Sequence, residues 1–340
     1  MFLKTGFLNM SLKKRNTLIL GIFSVVAVIA VLFTPQLITE EKKIEAKLAI
    51  AVSQTPLSSP FLIAKELGYF KAQGLDVTLV PCNGGVDCTQ RMLSRDVDYA
   101  TASESVLMFQ SFNRQDISIL VSFVESDNDL KLLTLEPSNI RSVKALEGKK
   151  VGVIKGSASE FYFDSVLIAN NLKNLQLKKV YLTPGELVPA LLSNRVDAIS
   201  SWEPLGYKAE LLSANKVVNL GNSAIYQLSF NLLAMTPNLE HSNDESLRLL
   251  KALDLAVEWI NNNPDKALET IATSLNLSVD QVAWSWEDLV FRLSLGNSLL
   301  SNIQLQARWA VESGLVDSEP PDFRAVFYPS PFEQLVASRD

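Results

Sequence analysis

Short apolar runs alternate with helix-like segments along much of the chain, and this alternation predicts strands that are each followed by a helix. The central stretch shows the pattern three times, with apolar runs at Lys149–Ile154, Lys179–Leu182 and Val196–Ile199. Each run is followed, within a few positions, by residues that favour a helix start. Parallel strands joined by helices place their carboxyl ends at one edge of a sheet, where ligands of open α/β folds bind. The pattern therefore predicts an α/β fold whose binding site is built from strand-to-helix turns.

Two of these helix starts carry the Ser/Thr-x-x-Glu pattern of a capping box. They are Ser157 with Glu160, and Thr183 with Glu186, where Pro184 also suits the first helical position. A strand that leads directly into a capped helix leaves free N–H groups and the positive end of a helix dipole in one place. We therefore expect an anionic group of a ligand to bind there.

Two strongly apolar strands predict a division into two lobes. Ile117–Val124 is followed by residues 125–134, which carry no helix signal and are expected to cross to a second lobe, and Leu228–Met235 is expected to return. We predict lobe I at residues 47–130 and 230–335 and lobe II at residues 131–229. Two crossings form a hinge, and a hinge lets lobes close on a ligand.

The N-terminus has the pattern of a membrane-directed segment. Three basic residues, Lys13 to Arg15, precede Thr17–Phe33, which contains no charge. The following residues Thr34–Thr39 lack a small-x-small cleavage site, which favours an uncleaved anchor over a cleaved signal peptide. We predict a cytoplasmic segment at residues 1–16, a signal anchor or transmembrane helix at 17–33 and a linker at 34–46, with the lobes outside the cytoplasmic membrane.

Composition narrows the function classes. A net charge of −6 and an isoelectric point near 5.1 argue against a nucleic-acid partner, which needs clustered Lys and Arg. The single histidine, His241, lies in a polar stretch and cannot supply a histidine-rich metal site or a catalytic triad, so we expect no metal, no cofactor and no catalytic residue. Cys82 and Cys88 are the only cysteines; in an exported chain they favour a structural disulfide, with two free thiols or half of a metal site as alternatives.

Two separate motifs resemble one protein family. Asn194–Ala198 followed by Trp202–Pro204 resembles the "ALxsGxVDAxxxWEP" segment of ABC-transporter solute-binding proteins that take up sulfonates, taurine, nitrate and thiamine pyrimidine precursors. Asn194 stands where that family usually has glycine. The earlier residues Pro60, Ala64, Gly68, Phe70 and Gly74 match the family's "P-x3-A-x3-G-x-F-x3-GLDV" opening at the right spacing.

The resemblance implies a two-lobed, type II periplasmic-binding-protein-like fold with a mainly parallel sheet in each lobe. It also implies a monomer that captures a small ligand between the lobes and delivers it to an ABC permease and its ATPase, without catalysis. Ser103 and Glu104 could instead only cap a helix and complement its dipole, and Trp202 could instead be core. The residues expected to contact the ligand are Thr55, Ser58, Ser59, Ser103, Glu104, Gly156, Ser157, Ala158, Ser159, Trp202 and Glu203.

The two glutamates in this set bear on ligand choice. If Glu104 and Glu203 both face the cleft, they repel a simple anion and favour a ligand with an amino or positive group, such as taurine or a thiamine pyrimidine precursor, over nitrate. Two other functions stay open from sequence: an enzyme on the same fold, of the pyrimidine synthase or dehydratase type, and a membrane-anchored ligand sensor.

Overall fold

A computed structural model describes residues 46–339 as strands of two sheets with helices packed around them. The predicted cytoplasmic segment 1–16, the anchor 17–33 and the linker up to residue 45 lie outside the described residues. Within residues 46–339, no helix has both the length and the apolar character needed to cross a bilayer.

The larger sheet has six strands in the order β11-β4-β10-β3-β1-β2. Its strands β1, β2 and β3 run parallel to one another, whereas β10 pairs antiparallel with both β3 and β4, and β11 pairs antiparallel with β4. The bounds are β1 Ala46–Ser53, β2 Leu75–Cys82, β3 Tyr99–Ser103, β4 Ile117–Ser126, β10 Leu228–Met235 and β11 Val290–Ser294.

The smaller sheet has five strands in the order β7-β6-β8-β5-β9. The neighbours β7, β6 and β8 are parallel, and β5 runs antiparallel to both β8 and β9. The bounds are β5 Leu130–Leu135, β6 Lys150–Val153, β7 Lys178–Tyr181, β8 Ala198–Trp202 and β9 Val217–Asn219.

The helices pack around these sheets. Their bounds are α1 Ser59–Glu66, α2 Tyr69–Ala72, α3 Gly84–Leu93, α4 Glu104–Ser111, α5 Ala158–Ala169, α6 Pro184–Leu192, α7 Leu205–Leu212, α8 Thr236–His241, α9 Asn243–Asn262, α10 Pro264–Leu275, α11 Val279–Trp286, α12 Asn297–Glu312 and α13 Ser330–Ala337. The apolar positions of α9 are buried at Leu249, Leu253, Ala256 and Ile260, as their spacing of three and four residues predicts.

The predicted α/β fold with two sheets and flanking helices is confirmed, but the sheets are mixed instead of mainly parallel. The antiparallel strands include the four that flank the passages between the sheets, namely β4, β5, β9 and β10. The connections within β1–β3 and within β6–β8 run through helices, as parallel pairing requires. The prediction of parallel strands therefore holds for the part of each sheet that carries strand-to-helix turns.

The chain passes from the larger to the smaller sheet between Ser126 and Leu130, and it returns between Asn219 and Leu228. The strands that leave and re-enter the larger sheet are neighbours, because Leu228 pairs with Ser126. The predicted crossing strands thus exist, while the lobe boundaries at residues 130 and 230 stay a proposal.

Local details follow the chemistry of the turns. Asn194 adopts a φ of +56°, the left-handed conformation that glycine and asparagine accept most readily, so its place at the family's glycine is consistent with the backbone. The pair Ser59-Pro60 has the pattern of an N-cap followed by a first-turn proline, but α1 begins one residue earlier: Ser58 holds the N-cap position, and the Ser59 hydroxyl donates to the Pro56 carbonyl over 2.6 Å.

Candidate functional site

A cavity of about 720 Å³ is bounded by elements of both sheets. The larger sheet and its helices contribute Ser53, Thr55, Leu57, Asn83, Gly84, Gly85, Val86, Asp87, Gln90, Ser103, Val106, Leu228 and Phe230. The smaller sheet and its helices contribute Leu130, Ile154, Lys155, Ser157, Ala158, Leu182, Thr183, Pro184, Gly185 and Trp202, and the first passage between the sheets contributes Asp129.

Four helix starts line this one cavity. Each of α3, α4, α5 and α6 follows a parallel strand, and its N-cap or first helical residues form part of the wall. The first N–H groups of a helix have no partner within the helix, and the helix dipole adds partial positive charge there. The cavity is therefore suited to the anionic part of a ligand, although the chain as a whole is acidic.

Residues 81–88 contain two glycines and a proline, a composition typical of a loop. In the structure β2 continues to Cys82, where it pairs with Ser53, and α3 begins at Gly84 with a φ of +83°. The first turn of α3 packs tightly on β3, since a Cβ atom on Gly85 would lie 2.9 Å from the Cα of Ala102. This correction adds a helix start to the site that the sequence did not indicate.

The predicted disulfide is present and joins Cys82, at the end of β2, to Cys88 in α3, with the two Cα atoms 5.3 Å apart. It ties the first turns of α3, which line the cavity, to the sheet. Its role is structural, because both cysteines are buried away from the cavity wall.

We expect the double substitution Cys82→Ser, Cys88→Ser to lower the free energy of unfolding by about 2 kcal/mol, because an open chain gains the entropy that the closed loop denies it. Urea unfolding with and without dithiothreitol measures this. Reductant should shift the midpoint of the wild type and leave that of the double variant unchanged. Equal midpoints for oxidised and reduced wild type would contradict a stabilising role.

The turn before α5 is ordered by its own side chains, but not through the predicted capping box. Ser157 holds the N-cap position, and its hydroxyl donates to the Ile154 carbonyl over 2.7 Å instead of accepting from the helix. Glu160 accepts from the Gly156 N–H at 3.0 Å, and also from Lys179 and Tyr181, which draw it away from the cap. By contrast, the capping box of Thr183 and Glu186 is formed as predicted.

The predicted contact residues divide into two groups. Thr55, Ser103, Ser157, Ala158 and Trp202 line the cavity. The other predicted residues lie beside or behind the wall: Ser58, Ser59, Glu104, Gly156, Ser159 and Glu203.

Glu104 lies behind the wall as a buried, fully engaged carboxylate. It accepts hydrogen bonds from the Tyr226 hydroxyl, from the Ser229 N–H at 3.0 Å and hydroxyl at 2.9 Å, and from the side chains of Asn302 at 3.1 Å and Gln306 at 2.9 Å. Burial raises the pKa of Glu104 above its usual value, against the opposite effect of these donors. Its contacts hold α4, β10, α12 and the segment before β10 together.

Glu203 is also buried, and its carboxylate is hydrogen-bonded to donors of the protein outside the cavity wall. Its carboxylate accepts from the Tyr207 N–H at 3.0 Å and from the Trp284 indole at 3.2 Å. Burial raises its pKa. Neither glutamate lines the cavity, so neither carboxylate makes the direct contact with a ligand that was expected from the sequence.

Trp202 forms part of an apolar wall together with Leu57, Val106, Leu228 and Phe230. Its indole reaches across to the start of α3, where a Cβ atom on Gly84 would lie only 3.0 Å from the ring. Glycine at position 84 thus allows an aromatic side chain of the smaller sheet to approach a helix of the larger sheet. Trp202 lines the cavity and also packs against the apolar core, so its contact with a ligand stays a prediction.

Two polar side chains in the wall have buried atoms with no hydrogen-bond partner among residues 46–339: Thr55 Oγ1 and Asp129 Oδ2. Burial raises the pKa of Asp129 well above its usual value, and the nearby Glu203 adds to the effect. Buried polar groups are normally satisfied, so these atoms indicate places where a ligand or water completes the bonding. Sequence reasoning found Thr55 but missed Asp129, which no motif marks.

Comparison with known proteins agrees with this description. Residues 55–267 match the family described as NMT1/THI5 like. A Bacillus subtilis (strain 168) protein provisionally named aliphatic sulfonates-binding protein is 27% identical over 62% of this chain, and the match spans 65% of that relative. A Haemophilus influenzae protein provisionally named thiamine biosynthesis protein is 21% identical over 77% of this chain and 84% of its own length.

Solved structures show the same fold. The alkanesulfonate-binding protein SsuA from Xanthomonas axonopodis pv. citri, bound to MOPS, superposes with a TM-score of 0.75 at 18% identity, covering 84% of this chain and 99% of that one. The desulfurization enzyme DSZB superposes with a TM-score of 0.63 at 15% identity, covering 87% of this chain and 100% of DSZB. The predicted periplasmic-binding-protein-like fold is thereby confirmed, and at these identities the likeness concerns the fold alone.

Proposed function

The chain belongs to the NMT1/THI5 like family, and on that basis we propose that it is the extracytoplasmic solute-binding component of an ABC importer. Its ligand is a small organic anion, of the sulfonate or taurine type in preference to a thiamine pyrimidine precursor. The observation that carries this proposal is the convergence of four helix starts on one cavity that also has an apolar wall. The names of the relatives, which include sulfonate-binding proteins, support the same ligand class.

The helix starts provide the anion site. Each helix N-terminus stabilises a negative group by about 0.3–1 kcal/mol, and several together act without a dedicated cationic side chain. The unpartnered Thr55 hydroxyl can donate to the same group, and Lys155 adds a positive charge at the wall. A sulfonate presents three oxygens and can accept from several of these donors at once.

The apolar wall accounts for the organic part of the ligand. A cavity of about 720 Å³ lies within the usual range for small-molecule sites and is far larger than a nitrate ion requires. Trp202 and Phe230 offer aromatic surface that stays in contact with water unless carbon atoms cover it. The site therefore favours an anion that carries an alkyl or ring portion.

Closure of the cleft would couple binding to transport. We propose that the parts at residues 47–130 and 230–335 and at residues 131–229 act as lobes, since each contributes two helix starts to the cavity. A ligand held by both parts stabilises the closed arrangement, and a permease with its ATPase would recognise that arrangement in a monomer. The segment 17–33 would hold the protein at the outer face of the cytoplasmic membrane.

An enzyme on the same fold is less well supported. Among the described residues that line the cavity there is no histidine and no cysteine, and both cysteines are joined to each other. Serine and threonine hydroxyls line the cavity, but these lining residues include no histidine to activate a hydroxyl as in a Ser–His pair, and no Cys–His pair.

Isothermal titration of the purified full-length chain in detergent tests the function. We expect alkanesulfonates or taurine to bind with a dissociation constant of about 1 μM or below, nitrate to give no signal, and mass spectrometry to recover the ligand unchanged. Tight binding of nitrate with no response to the sulfonates or to the thiamine pyrimidine would overturn the ligand assignment. Conversion of the ligand would favour the enzyme.

A further inference from the structure

Asp129 occupies an unusual place in the cavity wall. It is the last residue of the passage between β4 and β5, and its backbone carbonyl accepts the Glu203 N–H at 3.1 Å. The residue is only 2% exposed, yet it lines the cavity. Its position is fixed by the smaller sheet, since the next residue begins β5 and its carbonyl accepts from the residue that follows β8.

The carboxyl group of Asp129 lacks the partners that a buried acid normally has. No donor within residues 46–339 reaches Oδ2. The nearest basic residue in sequence, Lys131, is turned to Asn128, where Nζ donates to the side-chain oxygen at 2.8 Å and to the backbone carbonyl. Burial of an acid without a donor costs stability, and a bound donor would remove that cost.

The charges around Asp129 favour a cationic donor over a neutral one. Two other acidic side chains, Glu203 and Asp288, lie close enough to raise its pKa, and Lys131 is the one basic group that opposes them. This part of the wall is therefore acidic, whereas the starts of α4, α5 and α6 add partial positive charge elsewhere in the wall. Asp87, in the first turn of α3, is a further acid in the wall, and its carboxylate already accepts from the Asn83 N–H at 2.8 Å. The cavity carries opposite charges at different places.

We propose that Asp129 binds the ammonium or protonated amine of a zwitterionic ligand whose anionic group lies at the helix starts. The ligand class is then an aminoalkanesulfonate or a related amine-bearing organic anion. The inference rests on the proposed function, because it takes the anion site as given. It differs from the expectation drawn from Glu104 and Glu203, both of which already have donors from the protein.

A pair of ligands of equal size tests the inference. Taurine and propane-1-sulfonate have the same number of heavy atoms and differ in an ammonium in place of a methyl group. We expect the wild type to bind taurine about 10- to 100-fold more tightly, the range for a charge-assisted hydrogen bond. Titration of the full-length chain with taurine and with propane-1-sulfonate measures the preference for the amine. The same comparison is repeated with 3-aminopropane-1-sulfonate and butane-1-sulfonate, which each have one methylene more.

The variant Asp129→Asn should weaken taurine binding by about the same 10- to 100-fold factor and leave propane-1-sulfonate within about threefold. Its melting temperature without ligand should equal or exceed that of the wild type, which separates lost recognition from lost folding. The matched control is Asp288→Asn, which removes a nearby acid outside the cavity wall and should keep the preference for taurine.

The outcomes are distinguishable. Equal binding of the two ligands by the wild type, or a preference that survives in Asp129→Asn, would overturn the role of Asp129 and leave the proposed function standing. Failure of every sulfonate in the series to bind the wild type would overturn the proposed function, and the inference with it.

Discussion

Replacement of Glu104 by alanine is expected to lower the free energy of unfolding by about 3 to 5 kcal/mol, because several buried donors lose their acceptor at once. The carboxylate accepts from Tyr226, from both donors of Ser229, and from Asn302 and Gln306. Alanine would leave these donors buried without an acceptor and would open a space behind the start of α4.

Urea unfolding followed by circular dichroism measures the loss. Glu104→Gln keeps one acceptor oxygen but places an amide group among the donors. Its free energy of unfolding should therefore fall by less than that of the alanine variant. Glu66→Ala on α1 is the control, because Glu66 is exposed and should change stability by no more than about 0.5 kcal/mol. A Glu104→Ala protein as stable as the control variant would refute a structural role and reopen the question of a direct ligand contact.

Replacement of Trp202 by alanine is expected to weaken sulfonate binding about 100-fold, the loss typical of an aromatic side chain at the centre of a binding site. The indole lines the cavity and packs against Gly84 at the start of α3, so its removal both exposes the ligand's apolar part to water and widens the site. Titration of propane-1-sulfonate into the variant gives the affinity.

Trp202→Phe should recover most of the affinity, because a smaller ring still covers the ligand. The control is Trp284→Phe: Trp284 is half exposed, contacts Tyr207 and Glu203, and does not line the cavity. We expect this control to bind within about threefold of the wild type. If Trp202→Ala bound as tightly as the control, Trp202 would be ordinary core and the cleft reading would fail.

The parts of the fold that could be read from sequence are those set by neighbouring residues. The strands before α5, α6 and α7 appear within two or three residues of their predicted positions, because apolar periodicity and helix-start residues act locally. The Thr183–Glu186 capping box forms for the same reason. The matching pattern at Ser157 and Glu160 does not, since Lys179 and Tyr181 on β7 compete for the same carboxylate.

The parts that sequence could not supply depend on contacts between distant segments. Glu104 is drawn away from the cavity by donors more than 100 residues later in the chain. The helix start at Gly84 depends on the pairing of β2 with β1 as far as Cys82. Asp129 stands out because no donor within residues 46–339 reaches its Oδ2 atom, and the absence of a tertiary contact leaves no local pattern in the sequence.

The side-by-side pairing of Ser126 with Leu228 has a mechanical consequence. β4 and β10 are neighbours inside the six-stranded sheet, and Ser126 and Leu228 form the last pair of their ladder, so the two passages leave the sheet side by side. Bending beyond this last pair breaks no hydrogen bond of the ladder, whereas sliding β4 past β10 breaks it. We therefore expect the two proposed lobes to rotate about the pair of passages next to Ser126 and Leu228. Asp129 lies beside this axis, and the starts of α3 and α5 lie on opposite lobes and would move towards each other. The distance between spin labels at the starts of α3 and α5 should change when ligand is added, whereas the distance between labels beside Ser126 and Leu228 should stay the same. Equal changes in both distances would indicate a sliding motion instead.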